Sequence, residues 1–242
     1  MCEVKMRKFI NADCMEFFKK LENDSVDLIL TDIPYGGVND FKDNERKRFA
    51  NRFQSLGNAD IVTFGLENFC EECLRISKGN IFIFCGIEQM SLIFQFFKNK
   101  KIKENEKISI RQVVYLKNNP MPVNGKNFYI SSLENAIVIK KPGGAFNAEF
   151  KKNIYVENAG SKEYHPTQKN LNLIKNIIND LSRPGELVFD PCAGSGTTLI
   201  AAHETGRDFL GCEKDKVFYE KAIKRVNEST AQRTIYDYIK NP

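Results

Sequence analysis

The stretch Val188-Phe-Asp-Pro-Cys-Ala-Gly-Ser-Gly-Thr-Thr-Leu-Ile-Ala-Ala202 restricts the fold more than any other part of this 242-residue chain. Leu187 to Phe189 is a short apolar run of the kind that forms a central parallel strand. Gly194 and Gly196 have no Cβ, so the chain can turn sharply there and let a ligand approach its backbone. Thr197 and Thr198 are expected to cap the helix that follows, with Leu199-Ile-Ala-Ala202 as its buried face. A helix start of this kind offers free N–H groups to a carboxylate-bearing ligand. No Lys follows the glycines, so the phosphate-cradling pattern GxxxxGK[ST] is not met. Such a strand–turn–helix normally opens a nucleotide-binding sheet, yet here it begins near residue 187 of 242.

The rest of the chain supplies strands and helices in alternation. Strands are expected at Lys8–Asn11, Ser25–Thr31, Ile81–Cys85, Arg111–Lys117, Asn135–Lys140 and Asp208–Glu213, besides the one at 187–189. Helices are expected at Asp13–Leu21, Asp60–Ile76, Glu88–Lys98, Thr167–Leu181 and Lys216–Val226, with Lys78-Gly-Asn80 ending the second and Lys98–Lys107 a charged connector. Residues 36–60 read as a polar surface loop, and 142–164 show no strong period. The alternation predicts a Rossmann-like α/β fold: a seven-stranded, mostly parallel sheet with helices on both faces, in one domain spanning 1–242. A hydrophobic share of 42%, with 19 Phe, is enough for such a core.

Composition also removes several classes of function. No run of 18 apolar residues is present, so no membrane span is expected. The N-terminus lacks the apolar centre of a signal peptide. Seven scattered cysteines form no framework and point to reduced thiols and a cytoplasmic location. Cys70-Glu-Glu-Cys73 is one CxxC pair with no second, too few ligands for structural zinc, and no metal is expected. The net charge of +5 permits a polyanionic partner without requiring one.

Two strand ends carry the chemistry, because ligands of open α/β sheets sit beyond the carboxyl ends of the strands. One is Asp190-Pro-Cys-Ala-Gly-Ser-Gly. The other is Asp32-Ile-Pro-Tyr35, where Pro34 stops the strand. Glu213 closes the strand after the glycine turn, where a carboxylate can accept hydrogen bonds from both ribose hydroxyls. At Asp32-Ile-Pro-Tyr35 the carboxylate and the Ile33 carbonyl are two acceptors that could orient an amine. Tyr35 offers a flat face on which a base can stack.

Asp190-Pro-Cys-Ala-Gly-Ser-Gly-Thr-Thr198 resembles the cofactor motif of the amino-group DNA methyltransferases that use S-adenosylmethionine. Asp32-Ile-Pro-Tyr35 resembles their catalytic tetrad, and His165-Pro-Thr-Gln-Lys-Asn170 the motif before the glycine turn in the permuted, or β, subclass. The order of the three motifs is that of the β subclass and accounts for the late opening strand. The resemblance covers nearly the whole chain. It implies that Asp32, Ile33, Pro34 and Tyr35 are catalytic. It also implies that Asp190, Pro191, Cys192, Ala193, Gly194, Ser195, Gly196, Thr197 and Thr198 wrap the methionine part of the cofactor. By the same resemblance Glu213 holds the ribose, and Asp13 with Cys14 lies near the adenine ring. His165, Thr167, Gln168 and Lys169 then contact the methionine carboxylate side.

The implied partner is double-stranded DNA, with Arg46, Lys47, Arg48 and Arg52 near the phosphates and 142–164 as a short target-recognition segment. A homodimer and a companion restriction endonuclease are left open. Ile33 stands where the family has Pro, Cys192 where it has Phe, and Asn170 where it has Pro. Asp at position 32 favours adenine N6 over cytosine N4, which is the nearest alternative. Outside this class, a nicotinamide-dependent oxidoreductase would share the glycine turn and Glu213 but does not require Asp-Ile-Pro-Tyr or His-Pro-Thr-Gln-Lys. An inactive DNA-binding module would have lost the tetrad, of which Asp32, Pro34 and Tyr35 stand. A methyltransferase for RNA or protein is the remaining alternative.

Overall fold

Apolar runs bounded by turn residues become the strands, and stretches with an apolar period of about 3.6 residues become the helices that cover them. The computed structural model describes residues 6–35, 63–122, 125–161, 163–165 and 167–240, with 232–240 as backbone only. Among these residues eight strands form one sheet: β1 Arg7–Asn11, β2 Val26–Asp32, β3 Ser77–Cys85, β4 Ser109–Lys117, β5 Leu133–Lys140, β6 Ile154–Glu157, β7 Leu187–Asp190 and β8 Asp208–Glu213. The helices are α1 Cys14–Phe18, α2 Leu66–Ile76, α3 Ile87–Lys103, α4 Leu171–Leu181, α5 Thr197–Glu204 and α6 Lys216–Lys240. The strand order is β1-β8-β7-β2-β3-β5-β4-β6. Neighbours are parallel except around β5, which runs antiparallel to both β3 and β4.

Seven expected strands thus become eight. The addition, β6, pairs along β4 from Val114↔Ile154 to Lys117↔Glu157. It is an edge strand whose Ile154 and Val156 stay about half exposed, so no buried alternation marks it in the sequence. Helix bounds move as well. The second expected helix begins at Leu66, after the N-cap Gly65, rather than at Asp60. Lys78-Gly-Asn80 is part of β3 rather than a break, and Gly79 is there for close approach: a Cβ would stand 2.2 Å from the Asp27 carbonyl oxygen. The charged connector is largely the end of α3, where Lys100 pairs with Glu71 at 2.7 Å and Glu104 at 2.9 Å. The fourth helix starts at Leu171, capped by Asn170, and the last runs on to Lys240.

The central strands alternate between two apolar layers. Leu28, Leu30, Phe82 and Phe84 face α4 and α5, packing with Leu173, Ile177, Ile178 and Leu199. Ile29, Ile81 and Ile83 face the other way, onto Phe18, Phe69, Cys73, Ile93 and Phe97. In that second layer Phe18 meets Phe69 and Phe189 edge-on at 5.6 and 5.8 Å, contacts worth about 0.5–1.5 kcal/mol each beyond burial. Burial of these strands on both faces sets β2 and β7 side by side, through Leu28↔Val188 and Ile29↔Phe189. From this pair the chain proceeds outward in opposite directions, to β3 on one side and β8 on the other. The crevice beyond their carboxyl ends is the switch point where an open α/β sheet takes its ligand.

Candidate active site

On one side of the crevice the β7–α5 turn is held by its own backbone. Ala193 N–H donates to the Cys212 carbonyl (2.9 Å), which ties the turn to β8. Gly194 and Gly196 have φ of +49° and +73°, the left-handed region that favours glycine. Gly196 is the N-cap of α5, and no side chain caps this helix. Thr197 and Thr198, expected as caps, are instead its first helical residues, because the left-handed residue before them already closes the turn. Asp190 is buried and accepts from Cys192 N–H at 3.1 Å. Burial pushes its carboxyl up to about 6, with the Thr198 hydroxyl opposing the rise.

The Glu213 carboxylate accepts from Gly194 N–H (2.9 Å) with one oxygen and from Asp215 N–H (2.8 Å) with the other. Burial raises its pKa. Strand β1 pairs with β8 as far as Asn11↔Glu213, which brings Asp13 to the same edge. Asp13 caps α1 through Met15 N–H (2.9 Å) and pairs with Lys214 at 2.8 Å. Burial acts to raise its pKa, but Lys214 and the Met15 N–H together leave it lowered.

On the other side Asp32 ends β2. Its Oδ1 accepts from the Tyr35 hydroxyl at 2.9 Å, and its Oδ2 is bonded to the Lys169 ammonium. Gln89 fixes the turn: its amide donates to the Pro34 carbonyl (2.7 Å) and accepts from Gly86 N–H (3.0 Å). The side chain of Ile33 is 1% exposed and packs in the second apolar layer, so the core accommodates the residue found there in place of Pro. Lys169 also reaches Glu134 at 3.1 Å, and Glu134 pairs with Lys117 at 2.5 Å.

The segment before α4 spans both sides. The His165 ring lies edge-on to Phe218, 4.4 Å between centroids, and a Cβ on Gly194 would stand 3.7 Å from it. Its Nδ1 faces the Thr167 N–H at 3.3 Å and hydroxyl at 3.0 Å. Burial, reinforced by Lys169, lowers its pKa to about 4, so the ring is neutral at pH 7. Gln168 accepts from Tyr164 N–H at 3.4 Å. Asn170 Oδ1 takes the Asn172 and Leu173 N–H groups at 2.8 and 3.2 Å, which gives this departure from the family pattern a capping role.

One cleft of about 770 Å³ gathers these groups. It is lined by Asp32, Ile33, Pro34 and Tyr35 and by every expected cofactor residue except Gly196, which sits beneath the turn against Val226. Lys169 lies on the Asp32 side of the cleft. Arg46, Lys47, Arg48 and Arg52 lie outside the described residues. Sequence reasoning missed Lys117, Glu134, Gln89, Phe218 and Arg225. Arg225 donates to the Ser195 carbonyl and to the Thr197 hydroxyl, both at 2.9 Å. Glu134 is the second residue of β5, and the start of a parallel strand would lie at the far edge of the sheet. Only the antiparallel course of β5 brings it to Asp32, and nothing in the local sequence signals that course. Among the described residues no group of His, Cys, Asp and Glu could hold a metal ion, and no helix is long and apolar enough to cross a membrane.

A family model described as DNA methylase, of the N6 and N4 type, matches residues 26–224. The chain belongs to this N6/N4 DNA methylase family. The methylase is similar to the type II methyltransferase M.HinfI of Haemophilus influenzae, with 26% identity over 92% of this chain and 69% of the relative. It is also similar to the type II methyltransferase M2.MboI of Moraxella bovis, with 27% identity over 90% of this chain and 87% of the relative. Its fold superposes on the M1.HpyAVI–SAM complex with a TM-score of 0.66 and 28% identity, over 92% of this chain and all of the other. It is therefore a DNA methyltransferase that uses S-adenosylmethionine.

The cleft suits that cofactor. Gly194 leaves open, beside His165, the space a Cβ would fill. The carboxylates of buried Asp190 and partly buried Glu213 offer acceptors suited to an ammonium and to ribose hydroxyls, and Cys14, Cys192 and Phe218 supply apolar wall.

Proposed function

We propose that this DNA methyltransferase transfers its methyl group to N6 of an adenine extruded from duplex DNA. The observation that most supports this reading is that Asp32 and the Asp190–Thr198 turn end adjacent strands and line one cleft. Bound S-adenosylmethionine supplies an electrophilic methyl group. An exocyclic amine is a poor nucleophile because its lone pair is delocalised into the ring. Acceptors aimed at its hydrogens return electron density to nitrogen and fix its direction. Asp32 offers a carboxylate and Ile33 a carbonyl for this purpose. Pro34, tied down by Gln89, keeps the turn rigid. The Tyr35 ring is the stacking surface for the extruded base, worth about 1–3 kcal/mol. Carboxylate at position 32 is what favours adenine over cytosine.

In this reading Asp190 to Thr198 hold the methionine part of the cofactor, Glu213 the ribose, and Asp13 with Cys14 the adenine side. Neutral His165, with Thr167 and Gln168, closes the cleft from above the turn. One catalytic domain spans the chain. Its basic residues Arg46, Lys47, Arg48 and Arg52 contact DNA phosphates, and 142–164 contributes to target recognition. The cytoplasm is the expected location, because all six described cysteines are free. The type II names of the relatives support a companion endonuclease, and a homodimer would extend the short recognition segment.

The test is to incubate the protein with labelled cofactor and duplex DNA and to digest the product to nucleosides. Label in N6-methyladenine is expected; label in N4-methylcytosine alone would overturn the adenine assignment. Asp32→Ala is expected to slow transfer by orders of magnitude while calorimetry still registers cofactor binding.

A further inference from the structure

Four charged side chains from four separate segments form one alternating chain in the acceptor half of the cleft. Asp32 ends β2, Lys169 precedes α4, Glu134 is the second residue of β5 and Lys117 ends β4. Lys169 bonds Asp32 and lies 3.1 Å from Glu134, which in turn lies 2.5 Å from Lys117. The Lys169 side chain is only 9% exposed. Its ammonium stands over the rings of Phe84 and Tyr35, 5.0 and 5.8 Å from their centroids, and these cation–π contacts add to the two carboxylates in compensating its burial. Its backbone is pinned, since a Cβ on Gly160 would come within 1.9 Å of the Gln168 carbonyl oxygen.

We propose that Lys169, anchored by Glu134, is a positioning residue that holds Asp32 ionised and leaves its Oδ1, shared with the Tyr35 hydroxyl, as the oxygen offered to the target amine. The proposal rests on the reading that Asp32 is the acceptor group. It moves Lys169 from the cofactor side to the acceptor side and adds Glu134, which no motif singled out. The groups facing Asp32 are Lys169, Tyr35, Glu134, Cys85 on β3 and Asp190 on β7, with Lys117 behind Glu134. Burial raises the Asp32 carboxyl, Lys169 draws it only part of the way back, and Glu134 raises it again, so that it stays above its ordinary value. A protonated Asp32 has lost acceptor capacity, so an uncompensated carboxyl there would be a poor guide for an amine. The two neighbours therefore act on Asp32 with opposite signs, although both hold the same structure together.

That opposition is the test. The full-length protein, labelled with carboxyl-¹³C aspartate, is titrated by NMR as wild type, Lys169→Met, Lys169→Arg and Glu134→Gln, with Asp32→Asn used to assign the resonance. The Asp32 midpoint is expected to rise by about one pH unit or more in K169M, to stay near wild type in K169R and to fall in E134Q. In active enzyme the acid limb of the methyl-transfer rate should follow the midpoint. A midpoint unmoved in K169M, or moved in the same direction by K169M and E134Q, would overturn the proposal. Should K169M fail to fold, the fall in E134Q decides: a midpoint that stays or rises there overturns it equally. Failure of the acceptor reading would be distinct, as methyl transfer that survives Asp32→Ala while the NMR midpoints still move.

Discussion

The two halves of the cleft are built by different means. The half proposed to hold the methyl donor is local: Asp190 to Thr198 is one continuous turn, shaped by two left-handed glycines and bonded through backbone amides. Its carboxylates, Asp190 and Glu213, answer to neutral donors: backbone N–H groups at both, and the Thr198 and Thr31 hydroxyls at Asp190. The acceptor half is assembled from distant segments, and its carboxylates, Asp32 and Glu134, answer to lysines. Backbone donors cannot be mutated away and carry no titratable charge. Side-chain cations can be lost singly and leave a buried carboxylate behind. The donor half should therefore be sensitive to shape, and the acceptor half to charge.

Substitutions can break that contrast. The largest effect is expected from Asp32→Ala, which should lower the methyl-transfer rate by on the order of 10²–10⁴-fold, with the cofactor Kd changed by no more than about twofold. A comparable loss of cofactor affinity would mean that the halves are not separable. Asp190 sharpens the comparison through pH. Its carboxyl is raised from 3.8 to about 6 by burial. It therefore binds its proton more tightly folded than unfolded. The stability this contributes is complete below pH 4 and is lost as pH rises to about 6, on the order of 3 kcal/mol. Asp190→Asn should flatten that part of the Tm-against-pH curve and raise the Tm of the cofactor-free protein at pH 7. It should also weaken cofactor binding, and calorimetry reads that cost.

Gly196→Ala tests shape alone. A left-handed residue with a side chain costs about 1–2 kcal/mol, and here the Cβ would also come within 2.6 Å of the Val226 side chain. A lower Tm, with weaker cofactor binding and no shifted pH limb, is the expected signature. The smallest effect is expected from Gln89→Ala, which removes the part-buried bonds to Pro34 and Gly86 at a cost of about 0.5–1.5 kcal/mol in stability. Slower transfer at unchanged cofactor Kd would place Gln89 with the acceptor half.

Much of the fold was legible because its signals are local. Each central strand is an apolar run, and the cofactor turn is contiguous. Edge strand β6 was not, because half-exposed residues leave no pattern. The charged end of α3 read as a connector, since its lysines are stabilised by Glu71 and Glu104 and by the negative end of the helix rather than by burial. Lys169 stands in the same motif as His165, which lies beside Gly194, yet its ammonium bonds Asp32, a reach along the cleft that the motif does not specify.

The sequence by itself determined the family, the order of its motifs and the two strand ends that line the cleft, because each is written in residues adjacent along the chain. Only the tertiary structure decided what surrounds Asp32. The antiparallel course of β5 and the pairing of β2 with β3 and β7 bring Lys169 to Asp32, with Glu134 beside it and Lys117 behind Glu134. Such charge pairing across segments depends on strand order and direction, which no local pattern specifies.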